Sequence, residues 1–306
     1  MGGLYSASAA LALCFAAFPD VEVLQLQLER LRKDEFVRLL FLGDLVGRAG
    51  RDAAIAALPR LRADLNADFV VVNGENAAGG FGITGSICDQ VFDAGADVIT
   101  LGNHAWDQKE ALVHIERESR LIRPRNYPQG TPGKGSDLFE TEDGRRVMVV
   151  NVLGSVFMNA LDDPFASVDE ALEECPLGMV ADAVIVDMHA EATSEKMAMG
   201  HFCDGRASLV VGTHSHIPTA DAQIFDGGTA YQTDAGMCGD YNSVIGMEKD
   251  EPINRFTRKI PSGRFTPASG PATVCGVFIE TDDKTGLAQR VDPVRVGGRL
   301  KTLLPQ

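Results

Sequence analysis

Polar residues that can bind metal ions follow five short apolar runs of the sequence. They are Asp44, Glu75 with Asn76, Asn103 with His104, His189, and His214 with His216. Four of the six histidines of the chain belong to this set, whereas His114 and His201 fall on predicted helices. Imidazole, carboxylate and carboxamide groups are suitable ligands for Mn, Fe or Zn. The set therefore predicts a metal centre.

The residue types and their spacing suit a centre of two ions. His214 and His216 are two positions apart, so both side chains project to the same side of an extended segment. A carboxylate such as Glu75 could bridge two ions about 3.5–4 Å apart, the separation that two-metal hydrolysis uses. Asp44 or Asn103 alone would as readily be a turn or capping residue. Only the complete set favours a site.

The apolar runs before these residues predict β-strands that alternate with helices. We predict strands over residues 37–42, 69–72, 98–101, 147–152, 184–188 and 209–211, with helices over 52–66, 84–94, 108–120 and 193–202. Thr84 and Thr193 are candidate helix N-caps. The later runs 222–225, 228–233, 273–281 and 288–296 lack long helical connections and predict hairpins. Ligands of open α/β folds bind at the carboxyl ends of strands, where the polar set falls.

The remaining segments predict one domain with an N-terminal extension. Residues 37–306 form the domain, and residues 1–36 are an upstream extension or a misassigned start, because Val37 already opens a self-sufficient fold. No Lys or Arg precedes Arg30, so a signal peptide lacks its basic region. The loop-rich stretches 130–135 and 248–270 are predicted to be insertions or a flap on the substrate side.

Composition limits the class of partner. With 28 basic and 43 acidic residues the formal net charge is −15, which argues against a protein that coats nucleic-acid polymers. A small phosphate ester remains a suitable substrate, because a metal ion supplies positive charge locally. Six dispersed cysteines without a C-x-x-C pair predict a reduced, cytoplasmic protein. No membrane partner is expected, and a homo-oligomer is compatible with the sequence.

The order of the motifs resembles that of the calcineurin-like metallophosphoesterases. Their pattern is D-x-H, G-D-x-x-D, G-N-H-D/E, H and G-H-x-H. This chain departs from the pattern in three places: Val46 replaces the His of D-x-H, Glu75 replaces the bridging Asp, and Thr213 precedes the H-x-H pair. These departures match a bacterial subfamily similar to 2′,3′-cyclic-nucleotide 2′-phosphodiesterases. The matching segments are 41–47, 73–83, 102–107, 123–128, 187–196 and 229–237, and the likeness runs from about Val37 to the C-terminus.

The resemblance implies a fold, a reaction and a role for each residue. The implied fold is α/β, a metallophosphoesterase-type β-sandwich flanked by helices, with βα units and a dinuclear site at the strand ends. Two divalent ions, Fe or Mn before Zn or Mg, would activate a hydroxide that hydrolyses 2′,3′-cyclic nucleotides to 3′-nucleotides. His104 would be the catalytic acid. One ion would be held by Asp44, Glu75 and His216, and the other by Glu75, Asn76, Asn103, His189 and His214.

Other interpretations stay open. The chain could act on another phosphoester, or be a nucleotide-binding regulatory protein with low turnover. A barrel amidohydrolase also uses two metals at strand ends, but its H-x-H pair ends the first strand rather than the sixth. A serine hydrolase is disfavoured because Ser215 lies outside a G-x-S-x-G motif. Phe81, Ile83 and Tyr127 could stack on a base or simply pack inside the fold.

Overall fold

The computed structural model describes residues 36–305, so the predicted extension lies outside the described residues except for Phe36. This part of the chain contains eleven strands and six helices. The strands are β1 (Phe36–Leu42), β2 (Phe69–Asn73), β3 (Val98–Thr100), β4 (Ser136–Glu140), β5 (Arg146–Leu153), β6 (Ala183–His189), β7 (Leu209–Thr213), β8 (Gln223–Ile224), β9 (Ala230–Gln232), β10 (Val274–Asp282) and β11 (Ala288–Val296). The helices are α1 (Gly47–Asp64), α2 (Gly85–Asp93), α3 (Ala111–His114), α4 (Pro164–Glu174), α5 (Thr193–Phe202) and α6 (Asp250–Arg258).

The strands form two mixed sheets. The first has the order β11-β10-β1-β2-β3, and the second has the order β4-β5-β6-β7-β9-β8. β1, β2 and β3 are parallel neighbours in the first sheet, and β5, β6, β7 and β9 are parallel neighbours in the second. The pairs β8–β9 and β10–β11 are antiparallel, which confirms the predicted hairpins.

Alternation along the strands explains why the two sheets pack face to face. Leu39, Phe41 and Val71 of the first sheet share a buried cluster with Val149 and Ile185 of the second. The intervening residues point outward, so β1 and β2 contact α1 and α2 on one side, while β5 and β6 contact α4 and α5 on the other. Because both faces of each sheet are covered, the central strands are mostly apolar, and a polar residue within them such as Asp187 is buried with hydrogen-bond partners. The result is a β-sandwich between two layers of helices.

Thr84 is confirmed as a helix N-cap, and Thr193 is not. The Oγ1 atom of Thr84 accepts a hydrogen bond from the Ile87 N–H at 3.3 Å. At α5 the cap position belongs to Ala192, whose backbone is extended and which has no side chain to offer a bond. Thr193 is already the first helical residue, so its prediction as a cap was wrong by one position.

Three other predictions needed correction. The helix expected over 108–120 shrinks to the four residues of α3, and turns lead from it to Leu121, which pairs with Ile99 of β3. Helix α4 was missed although Asp163 caps it and Pro164 occupies its first turn. The stretch 248–270, expected to be loop, contains α6.

Within residues 36–305, no helix is both long and apolar enough to cross a bilayer.

Candidate functional site

The predicted ligands meet where strands of both sheets end. Asp44, Glu75 and Asn103 follow β1, β2 and β3 of the first sheet, while His189 ends β6 and His214 follows β7 of the second. Because the two sheets face each other, their carboxyl ends place these side chains at one edge of the sandwich. Ligands that are far apart in sequence thus become neighbours.

Three donor atoms surround the Nε2 atom of His189. Glu75 Oε1 lies 2.9 Å from it, Asn103 Oδ1 lies 3.0 Å from it, and His214 Nδ1 lies 3.2 Å from it. Atoms that share one ion at about 2.1 Å are roughly 3 Å apart when they are adjacent ligands. Within the described chain, Glu75, His189 and His214 form a group whose ligand atoms all lie within 4.8 Å of one another. This geometry fits one metal ion.

A second group of donors surrounds His216. Its Nε2 atom lies 3.2 Å from Asn76 Oδ1 and 3.9 Å from Asp44 Oδ1. The Asp44 side chain is fully buried, and its Oδ1 atom has no hydrogen-bond partner among the described residues. A carboxylate oxygen left without a partner in the interior costs free energy, and a cation would satisfy it. These residues therefore fit a second ion.

Asn76 lies beside His216 rather than in the group around His189. Its Nδ2 group donates to the Gly80 carbonyl at 3.0 Å, which orients Oδ1 toward His216. The resemblance assigns Asn76 to the ion held by His189 and His214. The observed contact instead places Asn76 with His216, in the group that includes Asp44 and in which Val46 replaces a histidine of the pattern.

Each ligand histidine has one ring nitrogen fixed by a partner and the other turned to the centre. His216 Nδ1 bonds to the Ile245 carbonyl at 2.8 Å, and His214 Nε2 lies 3.1 Å from a carboxylate oxygen of Glu191. His189 Nδ1 bonds to the Thr213 hydroxyl at 2.8 Å. Such partners fix the tautomer and ring orientation of metal ligands. The imidazoles are therefore oriented by the protein itself.

Asp187 anchors the hydroxyl groups behind His189. Thr213 Oγ1 and Thr100 Oγ1 donate to its two carboxylate oxygens at 2.7 Å and 2.6 Å, and Asn73 Nδ2 donates at 3.0 Å. All four residues are buried. Asp187 is not among the site residues predicted from the sequence. Its signal was a carboxylate inside an otherwise apolar strand, where an unpaired charge would be costly.

The crowding of charges shifts the pKa values of the cluster. Burial raises the pKa of Glu75, but the adjacent His189 outweighs this effect and holds it at about 2. Burial lowers the pKa of His189, yet Glu75 and Asp44 raise it to about 9. Burial and the charge of His189 together lower the pKa of His214 to about 3. The metal-free cluster therefore keeps a proton on His189, and a cation would replace it.

The turn that carries His214 and His216 is strained and held from behind. Both histidines have positive φ values, 88° and 66°, which residues other than glycine rarely adopt. Between them, the N–H and hydroxyl of Ser215 donate to Asp234 Oδ2 at 3.1 Å and 2.6 Å. Lys196 Nζ, which is buried, donates to the same oxygen at 2.8 Å. Asp234 and Lys196 thus hold the turn in its ligand-presenting form.

His104 lies beside the cluster without joining it. Its backbone N–H donates to Glu75 Oε2 at 3.0 Å, and its Nδ1 atom lies 2.8 Å from Asp107 Oδ2. The Phe81 ring meets the imidazole edge-on at 5.1 Å. His104 is partly exposed at the floor of a cleft of about 710 Å³. This position suits a group that transfers a proton to a bound molecule.

The segment around α6 lines the cleft together with His104. Of the residues proposed to contact a base, Phe81 lines the cleft. Ile83 is buried in the core, and Tyr127 packs against Trp106 at 5.8 Å. The facing wall was not identified residue by residue in the sequence, and it consists of Val244, Ile245, Met247, Pro252, Arg255, Phe256, Lys259 and Phe265. The position of this wall agrees with the predicted substrate-side flap.

Comparisons with known sequences agree with these features. A "2′,3′-cyclic-nucleotide 2′-phosphodiesterase" of Bacillus subtilis is 44% identical over 260 residues, which cover 85% of this chain and 97% of that protein. A "putative phosphatase/phosphodiesterase" of Mycoplasma pneumoniae is 35% identical over 267 residues, which cover 85% of this chain and 93% of that protein.

Two crystal structures have a similar fold. A hypothetical protein from Thermus thermophilus is 42% identical with a TM-score of 0.79, and the match covers 86% of this chain and all of that one. A novel phosphatase from Mycoplasma pneumoniae is 34% identical with a TM-score of 0.80, covering 86% of this chain and 94% of that one. The sequence model of the YmdB-like protein family matches residues 40–294. The chain therefore belongs to the YmdB-like protein family.

Proposed function

We propose that the chain is a metal-dependent phosphodiesterase that hydrolyses 2′,3′-cyclic nucleotides to 3′-nucleotides. The relatives are named as phosphodiesterases and phosphatases, and the chain is a hydrolase of the same kind. The observation that carries the proposal is the convergence of Glu75, Asn103 and His214 on His189 at the floor of a cleft. Such a set of oxygen and nitrogen donors suits metal-assisted hydrolysis.

The donor groups divide between two ions, for which we propose Fe or Mn. Glu75, Asn103, His189 and His214 would hold one, and Asp44, Asn76 and His216 would hold the other, with Glu75 as the bridge. Divalent ions would supply positive charge that neutralises a phosphoryl group, and they would lower the pKa of bound water to about 7. The orphaned Asp44 Oδ1 and the oriented imidazoles support this assignment.

His104 is the proposed proton donor to the leaving oxygen. Its backbone is tied to Glu75, and the Asp107 carboxylate holds Nδ1, which leaves Nε2 to carry a proton. A substrate bound over the cluster would place its leaving 2′ oxygen near this imidazole. General acid catalysis of this kind contributes about 10²–10⁴-fold to a rate.

Hydrolysis of 2′,3′-cyclic AMP by the Mn-reconstituted protein tests the proposal. We expect adenosine 3′-monophosphate as the single product, resolved from the 2′ isomer by chromatography. A product consisting of the 2′ isomer alone would show that the other ester bond is cut. The absence of any product with Mn or Fe would contradict the proposed activity and favour the regulatory, nucleotide-binding alternative.

A further inference from the structure

Helix α6 leaves much of its apolar surface uncovered. Only Pro252 of this helix is buried. Phe256 is 73% exposed, and Ile253 is 50% exposed. Core packing therefore does not explain why the large apolar side chain of Phe256 is on this mostly polar helix. The reason is found on the side that faces the cleft.

One side of α6 forms part of the cleft wall. Pro252, Arg255, Phe256 and Lys259, which we call the α6 face, all line the cleft. Pro252, Arg255 and Phe256 are three and four residues apart, which places them on one side of α6. Lys259 directly follows the last helical residue and has a left-handed backbone. Ile253, by contrast, does not line the cleft. The α6 face is therefore turned toward the proposed ligands and His104, which form the floor of the same cleft.

The side chains of this wall are held in place from the protein side. Arg255 Nε donates to Glu251 at 2.6 Å, and one of its terminal NH groups donates to the Gly263 carbonyl at 2.8 Å. Its guanidinium also lies 4.1 Å from the centre of the Phe265 ring. These contacts leave the Phe256 ring as the large free aromatic surface. Lys259 forms no ion pair with any residue in the described part of the chain and adds an uncompensated positive charge.

The two sides of the cleft require a ligand with two different ends. The floor offers metal ligands and His104, which suit an anionic ester, whereas the wall offers the Phe256 ring and aliphatic groups beside the cation of Lys259. A planar apolar group joined to a phosphodiester satisfies both. Stacking on an aromatic ring does not depend on which base is bound, because every base has a π-face.

We propose that the α6 face is the base-binding wall of the cleft, with Phe256 stacking on the nucleobase of the substrate. This inference rests on the proposed phosphodiesterase function. On this proposal, α6 is the reason that the enzyme prefers diesters of nucleosides. Because stacking does not depend on the identity of the base, different bases should be accepted.

The test compares two substrates of the metal-loaded enzyme. One is 2′,3′-cyclic AMP, and the other is methyl β-D-riboside 2′,3′-cyclic phosphate, which carries the same reacting group without a base. We expect the wild type to prefer the nucleotide and Phe256→Ala to lower the ratio of the two kcat/KM values by roughly 10-fold, mainly through KM. Phe256→Trp should keep the ratio, because a larger ring still stacks. Ile253→Ala is the matched control on the other side of α6 and should also keep it.

The possible outcomes separate the inference from the proposed function. If the wild type hydrolyses both substrates equally well, or if Phe256→Ala keeps the wild-type ratio, the base does not bind at α6 although the enzyme is a phosphodiesterase. If the wild type hydrolyses neither substrate, the proposed function itself is wrong and the inference falls with it. A comparable loss of the ratio in Ile253→Ala would also overturn the assignment to the α6 face.

Discussion

The histidines of the site differ in the partners that hold them and in their exposure, and these differences suit different chemical roles. His189 is fixed by Thr213 and through it by Asp187, whereas His216 is fixed by a backbone carbonyl. His104 is fixed by Asp107 and remains partly exposed. The arrangements of His189 and His216 suit metal ligands that must not move. The arrangement of His104 suits a group that must contact the substrate.

Metal binding should release a proton from His189. The pKa of His189 is raised to about 9, so below that pH the metal-free site holds a proton that an ion must displace. Affinity for Mn should therefore rise by up to about tenfold per pH unit toward pH 9 and then level off. Calorimetry in buffers of different ionisation enthalpy measures the protons released. We expect about one at pH 7 and almost none at about pH 10. Binding at pH 7 without proton release would contradict this protonation state.

Replacing His104 should separate turnover from metal binding. We expect His104→Ala to lose about 10²–10⁴-fold in kcat on 2′,3′-cyclic AMP while it keeps its metal content, because no metal-ligand role is assigned to it. Mass spectrometry of the bound metals and steady-state kinetics measure the two effects. His201→Ala is the control, since His201 stacks on Phe225 away from the site. Unchanged turnover would remove His104 from the mechanism.

The site residues visible in the sequence are those that follow strands. Asp44, Glu75, Asn103 and the H-x-H pair could be found because their types and positions coincide. The partners behind them could not, since Asn73 and Asp187 are 114 residues apart and meet only across the two sheets. The position of Asn76 beside His216 likewise depends on a turn that no local pattern specifies.

At the scale of elements, the turn after β7 depends on its neighbours for its shape. Lys196 comes from α5 and Asp234 from the segment after β9, and together they hold Ser215. Two strained residues in three would cost about 1–3 kcal/mol each if nothing imposed them. The turn is therefore expected to relax when this support is removed.

Lys196→Met should destabilise the fold and loosen the turn. It leaves Asp234 buried without its cation, and breaking a buried ion pair costs about 3–5 kcal/mol. Denaturant unfolding measures this loss, and Mn titration of the folded variant should show weaker binding. Lys249→Met is the matched control, because Lys249 is exposed. Equal unfolding free energies for the two variants would show that the pair does not support the turn.

The elements themselves were predictable where burial set the pattern. The central strands β1, β2, β5, β6 and β7 are mostly apolar runs, and each was predicted from the sequence to within a few residues. α6 and β4 carry exposed residues, so their patterns are weak. α3 is followed by turns and by the pairing of Leu121 with Ile99, a tertiary contact that a local helical pattern cannot anticipate.

At the scale of the molecule, the proposed ions join the two sheets. Asp44, Glu75 and Asn103 belong to the ends of one sheet, and His189, His214 and His216 belong to the ends of the other. Metal binding would therefore add cross-links at one edge of the sandwich core.

We propose that residues 37–306 form a single domain and that residues 1–36 are an extension to it.

Metal removal should lower the stability of the whole domain. Ions that bind only the folded state add about 2.7 kcal/mol at a concentration one hundred times their Kd. We expect chelation to lower the Tm of the wild type and added Mn to restore it. Glu75→Ala, which removes the proposed bridge, should have a Tm that neither treatment changes. A wild-type Tm that is the same with chelator and with Mn would mean that the ions do not link the sheets.

The most direct test of the central claim is the turnover of 2′,3′-cyclic AMP by chelator-stripped protein as Mn is added in measured equivalents. We expect no turnover without metal and a rise that reaches its plateau at about two equivalents per chain, as a two-ion site requires. Full turnover by the stripped protein, or a rate that does not respond to Mn or Fe, would show that hydrolysis does not depend on these ions.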